Sequence, residues 1–156
     1  MIQTDSIWVK VDLKSSPEKV YGFFRNHLGD LVNLFPQTYQ SIQLVEGQHF
    51  SSGSVVQFKF QLGDELRAEK WAVRVVDDVK KYIIYEAVEG DPLKEFKVLR
   101  AKFEVVNGGL SKVGRGNFTK WTVEFEKANQ NVASPQNYLE LFVKISKGVD
   151  AYFSKN

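Results

Sequence analysis

The sequence predicts an α+β fold in which a single antiparallel sheet of about seven strands wraps around one long C-terminal helix. Three observations predict it. Ser134 to Phe153 is the one stretch long and periodic enough for a full-length helix. Between Tyr39 and Lys127 the apolar residues recur at every second position instead, in short runs separated by glycine and aspartate turns. Helix starts at Ser16 and Asp30 put two short helices between the first strand and the second.

Taken in order, Ile7, Val9, Val11 and Leu13 alternate with Trp8, Lys10 and Asp12, the period of a half-buried strand. Ser16 supplies a capping hydroxyl and Pro17 lacks only an N–H that would go unpaired at the first helical position. Val20, Phe23 and Phe24 share a face of that helix until Asn26, His27 and Gly29 interrupt it. Asp30 caps a second short helix carrying Leu31, Leu34 and Phe35, which Pro36 closes. Tyr39 to Val45 follows as a strand with Ile42 and Leu44 inward, ended by a loop from Glu46 to Gly53. Val56, Phe58 and Phe60 then alternate with Gln57, Lys59 and Gln61, and Gly63-Asp64 makes a turn. The return strand, Leu66 to Val76, puts Trp71, Val73 and Val75 on one face; Arg67, Glu69 and Lys70 blur the parity upstream, and a bulge there accounts for it.

In the strand Lys80 to Val88, Ile83, Tyr85 and Ala87 oppose Tyr82, Ile84 and Glu86, and periodicity leaves open which face packs. Gly90-Asp91-Pro92 leads into Phe96 to Val106, with Leu99, Ala101, Phe103 and Val105 on one side. Asn107 to Gly116 is a polar hairpin tip, after which Trp121, Val123 and Phe125 form the inner face of the last strand. The final helix takes Ser134 as its cap and Pro135 as its first residue. Tyr138, Leu141, Phe142, Ile145, Val149 and Tyr152 form its apolar face, with Glu140, Lys144, Lys147 and Asp150 opposite.

Composition narrows the function. A chain of 156 residues that is 43% apolar and 13% aromatic makes one domain, residues 1–156, with a large core. The net charge of +2 is too small to point to nucleic acid or a membrane surface. Lys94, Lys97, Arg100, Lys102, Lys112, Arg115 and Lys120 interleave with Glu95, Glu104, Glu124 and Glu126, which reads as a solvated outer face. Without cysteine, thiol catalysis, disulfides and Cys-ligated metals are excluded, and His27 and His49 lack partners at ligand spacing, so no metal and no cofactor is expected. There is no signal-like start and no run of about 18 apolar residues, which predicts a cytoplasmic protein. The sequon Asn117-Phe118-Thr119 is then without consequence.

The runs VEGDPLKEFK (Val88 to Lys97), WTVEFEK (Trp121 to Lys127) and SPQNYLELFVKISKGVD in the last helix resemble plant major latex proteins, and Asn33-Leu34-Phe35-Pro36 is similar to the pollen-allergen branch of the same Bet v 1-like (pathogenesis-related class 10) superfamily. The resemblance covers nearly the whole chain. It implies a strongly curved sheet gripping the last helix, the START-type helix-grip, with an apolar cavity between sheet and helix. A curved sheet and a straight cylinder do not match in shape, so side chains either fill the gap or border a pocket. The strand residues expected to face a hydrophobic ligand are Phe58, Phe60, Trp71, Ile83, Tyr85, Leu99, Ala101, Phe103, Trp121 and Phe125. Tyr138, Leu141, Phe142 and Ile145 join them from the last helix, and Phe35 from the short one.

Departures from the superfamily set limits. The loop EGQHFSSG (Glu46 to Gly53) has two glycines where the allergen branch is glycine-rich, too few to cradle a phosphate. Leu62 to Glu65 and Glu89 to Phe96 lack the gate and latch sequences of the hormone receptors. Two functions lead, ahead of a third, a ligand-gated interaction protein whose mark would be ligand-dependent ordering of the loops at Gly63 and Asp91. One is a carrier or buffer for a hydrophobic small molecule such as a plant hormone or specialised metabolite, working as a monomer or weak dimer, with a role in defence or stress. The other is a cofactor-free isomerase or cyclase acting on a reactive alkaloid or terpenoid intermediate in the same cavity, with Tyr85 donating or orienting a proton and Glu69 as base if the bulge turns it inward.

Overall fold

The computed structural model describes residues 4–108 and 116–155. Most of the hairpin tip expected after Asn107 lies outside these residues, as do Lys112 and Arg115. The chain starts at one edge of the sheet with β1 (Asp5–Asp12) and crosses to the other through α1 (Pro17–Asn26), a 3-10 turn (Leu28–Asp30) and α2 (Leu31–Leu34). It then meanders back through β2 (Tyr39–Glu46), β3 (Val55–Leu62), β4 (Glu65–Asp77), β5 (Tyr82–Gly90), the one-turn helix α3 (Pro92–Glu95), β6 (Phe96–Val106) and β7 (Phe118–Lys127). The last element is α4 (Gln136–Ser154). Every neighbouring pair is antiparallel, and the order β1-β7-β6-β5-β4-β3-β2 makes a seven-stranded curved sheet with β1 and β2 as its edges.

Most strand parities follow the hydrophobic period, because one face of the sheet is buried under α4 and a slip of one residue would invert it. β5 buries Ile83, Tyr85 and Ala87, which resolves the choice that periodicity left open. Two assignments change. Leu44 is 39% exposed rather than inward, since β2 is an edge strand whose pairing with β3 shifts register between Leu44 and Glu46. On β4 the pairing with β5 shifts between Val73 and Val75, so Val76 opposite Ile83 packs on the core instead of Val75. The bulge expected upstream in β4 is absent: Glu65 to Ala72 pair with β3 in unbroken register, and at the second shift, between Lys70 and Trp71, the extra residue is Val88 of β5. Plain alternation buries Arg67, Glu69, Trp71 and Val73, while Lys70 points out to an ion pair with Glu89 at 2.7 Å. At the end of β5, Gly90 has φ +105°, and a side chain there would strike the Ala68 carbonyl oxygen, so glycine lets the strand end close against β4.

The helix starts are also partly as expected. The Ser16 hydroxyl accepts from the Lys19 N–H and caps α1. Asp30 precedes α2 without a side-chain cap, and α4 begins at Gln136, one residue later than the sequence suggests, with the Ser134 carbonyl rather than its hydroxyl accepting from the Gln136 N–H. Along α4, Tyr138, Leu139, Leu141, Ile145, Ser146 and Val149 are buried, whereas Tyr152 is 47% exposed in the last turn.

Asp150, expected on the solvent face of α4, is buried. Its carboxylate accepts from the Lys14 and Ser15 N–H groups and from the Ser15 hydroxyl at 2.6–3.1 Å. The chain between β1 and α1 has no ladder partner there, and Asp150 supplies its acceptor. Asp150→Ala should cost about 2–3 kcal/mol in urea denaturation, the scale of charge-assisted hydrogen bonds left unpaired. A loss below about 0.5 kcal/mol would mean that water replaces the carboxylate freely.

Candidate functional site

Between the sheet and α4 lies a cavity of about 60 Å³. Period-two alternation aims Phe58 and Phe60 of β3, Trp71 of β4, Tyr85 of β5, Ala101 of β6 and Trp121 of β7 into it. Helical spacing brings Tyr138, Leu141, Phe142 and Ile145 of α4 down from the other side. Phe24, Leu28 and Leu31 from the α1–α2 corner and Tyr39 from β2 complete the wall. Phe142 stacks on Trp121 at 4.2 Å between ring centroids, and the Trp121 indole N–H donates to the Ser146 hydroxyl at 2.7 Å, which fixes the ring pair.

The expected wall is therefore divided. Ile83, Leu99, Phe103 and Phe125 face inward but belong to solid core. Phe103 is covered by α1, with Phe24 at 4.5 Å and Tyr21 stacked at 6.4 Å, and Phe125 packs edge-on against Phe96. Phe35 sits against α4 at Gly148, where a side chain would collide with its ring, and not on the cavity. Sequence reasoning missed Phe24, Leu28, Leu31 and Tyr39. Phe24 and Leu31 were visible only on helix faces and Leu28 fell in the break between the two helices, and what meets a cavity depends on how the corner docks.

One end of the cavity is polar. Glu69, 1% exposed, accepts at one carboxylate oxygen from the Tyr138 hydroxyl at 2.6 Å and the Arg67 Nε at 3.0 Å, and at the other from the Trp71 indole N–H at 2.8 Å. Arg67 reaches onward to Tyr138 Oη at 2.9 Å, Glu95 at 2.8 Å and Glu65 at 3.2 Å. Burial pushes the Glu69 carboxyl above the usual carboxylate range, against the pull of the Tyr138, Trp71 and Arg67 donors. Tyr138 is raised by burial and by the adjacent Glu69 charge. Glu69 lines the cavity and Arg67 does not. The charges that made β4 look outward-facing are thus an internal ion-pair network, and only the parity with Trp71 and Val73 signalled it.

Tyr39 and Tyr85 are 4% and 6% exposed, and neither hydroxyl has a hydrogen-bond partner among the described residues. Burial raises both above the ordinary phenol range, Tyr39 further by the Glu69 charge and Tyr85 by the Tyr21 and Tyr39 hydroxyls. Elsewhere, no group of three or more metal-ligating side chains occurs among the described residues. Much of the basic outer face is paired: Lys97 with Glu126, Arg100 with Glu86 and Glu124, and Lys102 with Glu104. No helix of the described residues is long and apolar enough to cross a membrane.

The arrangement has close counterparts. MLP-like protein 34 of Arabidopsis thaliana is 30% identical over 96% of this chain, which spans 46% of that protein's length. MLP-like protein 165 of the same plant is 29% identical over 95% of both. Among solved structures, ginseng major latex-like protein 151 from Panax ginseng superposes with a TM-score of 0.87 at 23% identity, over 96% of this chain and 97% of that one. Norcoclaurine synthase from Thalictrum flavum, in complex with dopamine and hydroxybenzaldehyde, gives 0.82 at 14% identity, over 99% and 88%. Those two likenesses extend to the fold alone. The model of the pathogenesis-related protein Bet v 1 family matches residues 2–156, so the helix-gripping sheet and the cavity beneath α4 are those of a family member, and the chain belongs to the Bet v 1 family.

Proposed function

We propose that the protein binds a hydrophobic small molecule, a plant hormone or specialised metabolite, in the cavity beneath α4 and carries or buffers it in the cytoplasm as a monomer or weak dimer, in a defence or stress response. The observation that carries this reading is the wall itself: an aromatic and aliphatic surface whose polar groups, among the described residues, are Glu69, three tyrosine hydroxyls and the indole N–H groups of Trp71 and Trp121. Such a lining desolvates an apolar ligand and leaves few groups to orient it. The cavity is small, so a larger ligand is accommodated by displacement of wall side chains rather than in preformed space.

The purified protein should retain a compound unaltered from a plant metabolite extract, detected by mass spectrometry of both the protein-bound and the free fractions. Ala101 is the smallest side chain on the wall, so Ala101→Leu fills the cavity and should abolish retention while the protein stays folded, at a cost of about 1–3 kcal/mol for overpacking. Retention unaffected by Ala101→Leu would place binding elsewhere.

A second reading, a cofactor-free isomerase or cyclase, is favoured by one feature: Glu69 faces the cavity with a raised pKa and a tyrosine on its oxygen. Its mark is depletion of one compound from the extract with the appearance of an isomer. Tyr85→Phe or Glu69→Gln would then abolish turnover, Glu69→Gln while leaving binding intact.

A further inference from the structure

We infer that Tyr39 and Tyr85 form a recognition pair for a neutral oxygen acceptor, a carbonyl or hydroxyl, carried on the aromatic body of the ligand. This rests on the cavity being a binding site and says what the bound molecule must present. Both residues line the cavity, both are more than nine-tenths buried, and neither hydroxyl is paired within the protein. The contrast with the other buried polar groups on this wall is what gives the pair meaning. Tyr138 is held by Glu69 and Arg67, the Trp71 indole by Glu69, and the Trp121 indole by Ser146. Neither hydroxyl oxygen is sealed in the way Thr119 Oγ1 is, so each keeps accessible surface, and two donors left open on an apolar wall leave a demand that an oxygen acceptor meets.

The charge distribution fixes which acceptor. Glu69 is the charged group on the wall, and its counter-ion Arg67 stands behind it, turned to Glu95 and Glu65. An anionic ligand would meet the Glu69 carboxylate without reaching the guanidinium, so the acceptor is an uncharged oxygen.

The test compares acetophenone with ethylbenzene, the same ring with and without a carbonyl oxygen, and with benzoate, which carries a charged one. Affinities come from chemical-shift titration of the wild type and of Tyr39→Phe/Tyr85→Phe. The expected result is that the preference of the wild type for acetophenone over ethylbenzene falls about five- to tenfold in the double variant, through loss of acetophenone affinity alone, the scale of one or two net hydrogen bonds. The carbonyl stretch of bound acetophenone should lie at lower frequency in the wild type than in the variant, and benzoate should bind more weakly than acetophenone. The variant should melt no lower than the wild type, because only unpaired hydroxyls are removed. An unchanged preference in the double variant, with both compounds still bound, would overturn the inference and leave the hydroxyls to water. Failure of acetophenone and ethylbenzene alike to bind the wild type would instead overturn the cavity as a binding site, and this inference with it.

Discussion

Arg67→Met should destabilise the protein by about 3–5 kcal/mol at neutral pH, the cost of leaving a buried charge without its counter-ion. Glu69 would keep its bonds from Tyr138 and Trp71 but lose its one ion-pair partner among the described residues. The loss should depend on pH, with a definite sign. Burial already raises the Glu69 carboxyl in the folded protein, and removing Arg67 raises it further. A group whose folded-state pKa lies above its unfolded value favours folding at low pH, and that contribution disappears as pH rises through the folded-state pKa. The deficit of the variant should therefore shrink as pH falls toward the ordinary carboxylate range. Arg67→Met/Glu69→Gln removes both charges and should recover most of the stability at neutral pH. Urea denaturation across pH measures all three proteins. A loss below about 1 kcal/mol for Arg67→Met, or a double variant no better than the single one, would show that the pair does not act as a unit.

Phe24→Ala should have a comparable effect, about 3–5 kcal/mol, by leaving a hole between the cavity and the solid core. Phe24 is fully buried, tilted against Phe103 at 4.5 Å and edge-on to Trp121 at 5.6 Å, and it lines the cavity on its other side. It is both the plug that separates the filled end of the core from the open one and the anchor of α1. In a chain of this size the thermal midpoint should fall on the order of 10 °C, read by tryptophan fluorescence. A fall of less than about 3 °C would mean that α1 settles into the hole.

How far the sequence could be read depended on what enforces each feature. Strand parity was legible where one face of the sheet is covered and the outer face is polar, so Val56, Phe60, Phe103 and Val123 could not sit otherwise. Leu44 was not, since an edge strand with a register shift no longer obliges an apolar side chain to turn in. Arg67 and Asp150 escaped notice for a common reason. Charge in a strand or helix normally signals solvent, and what buries these two is a set of partners far along the chain, Tyr138 and Glu95 for the first, Lys14 and Ser15 for the second. The cavity wall was partly legible in the same sense. Inwardness follows from period, but Phe103 and Tyr85 are equally inward, and only the seating of α1 over Phe103 decides that one is covered and the other borders open space.

α4 is held near its start by Tyr138 on Glu69 and Arg67, in its middle by Ser146 on Trp121, and near its end by Asp150 on the β1–α1 connection. A spindle fixed in three bearings cannot swing aside as a door. Traffic into the cavity is left to the opposite jamb, where the single-turn pieces at Leu28–Asp30 and Leu31–Leu34 are too short to be cooperative on their own. If the cavity takes a ligand as proposed, its exchange should be set by the corner that α1 and α2 turn, while the helix that forms the roof stays in place.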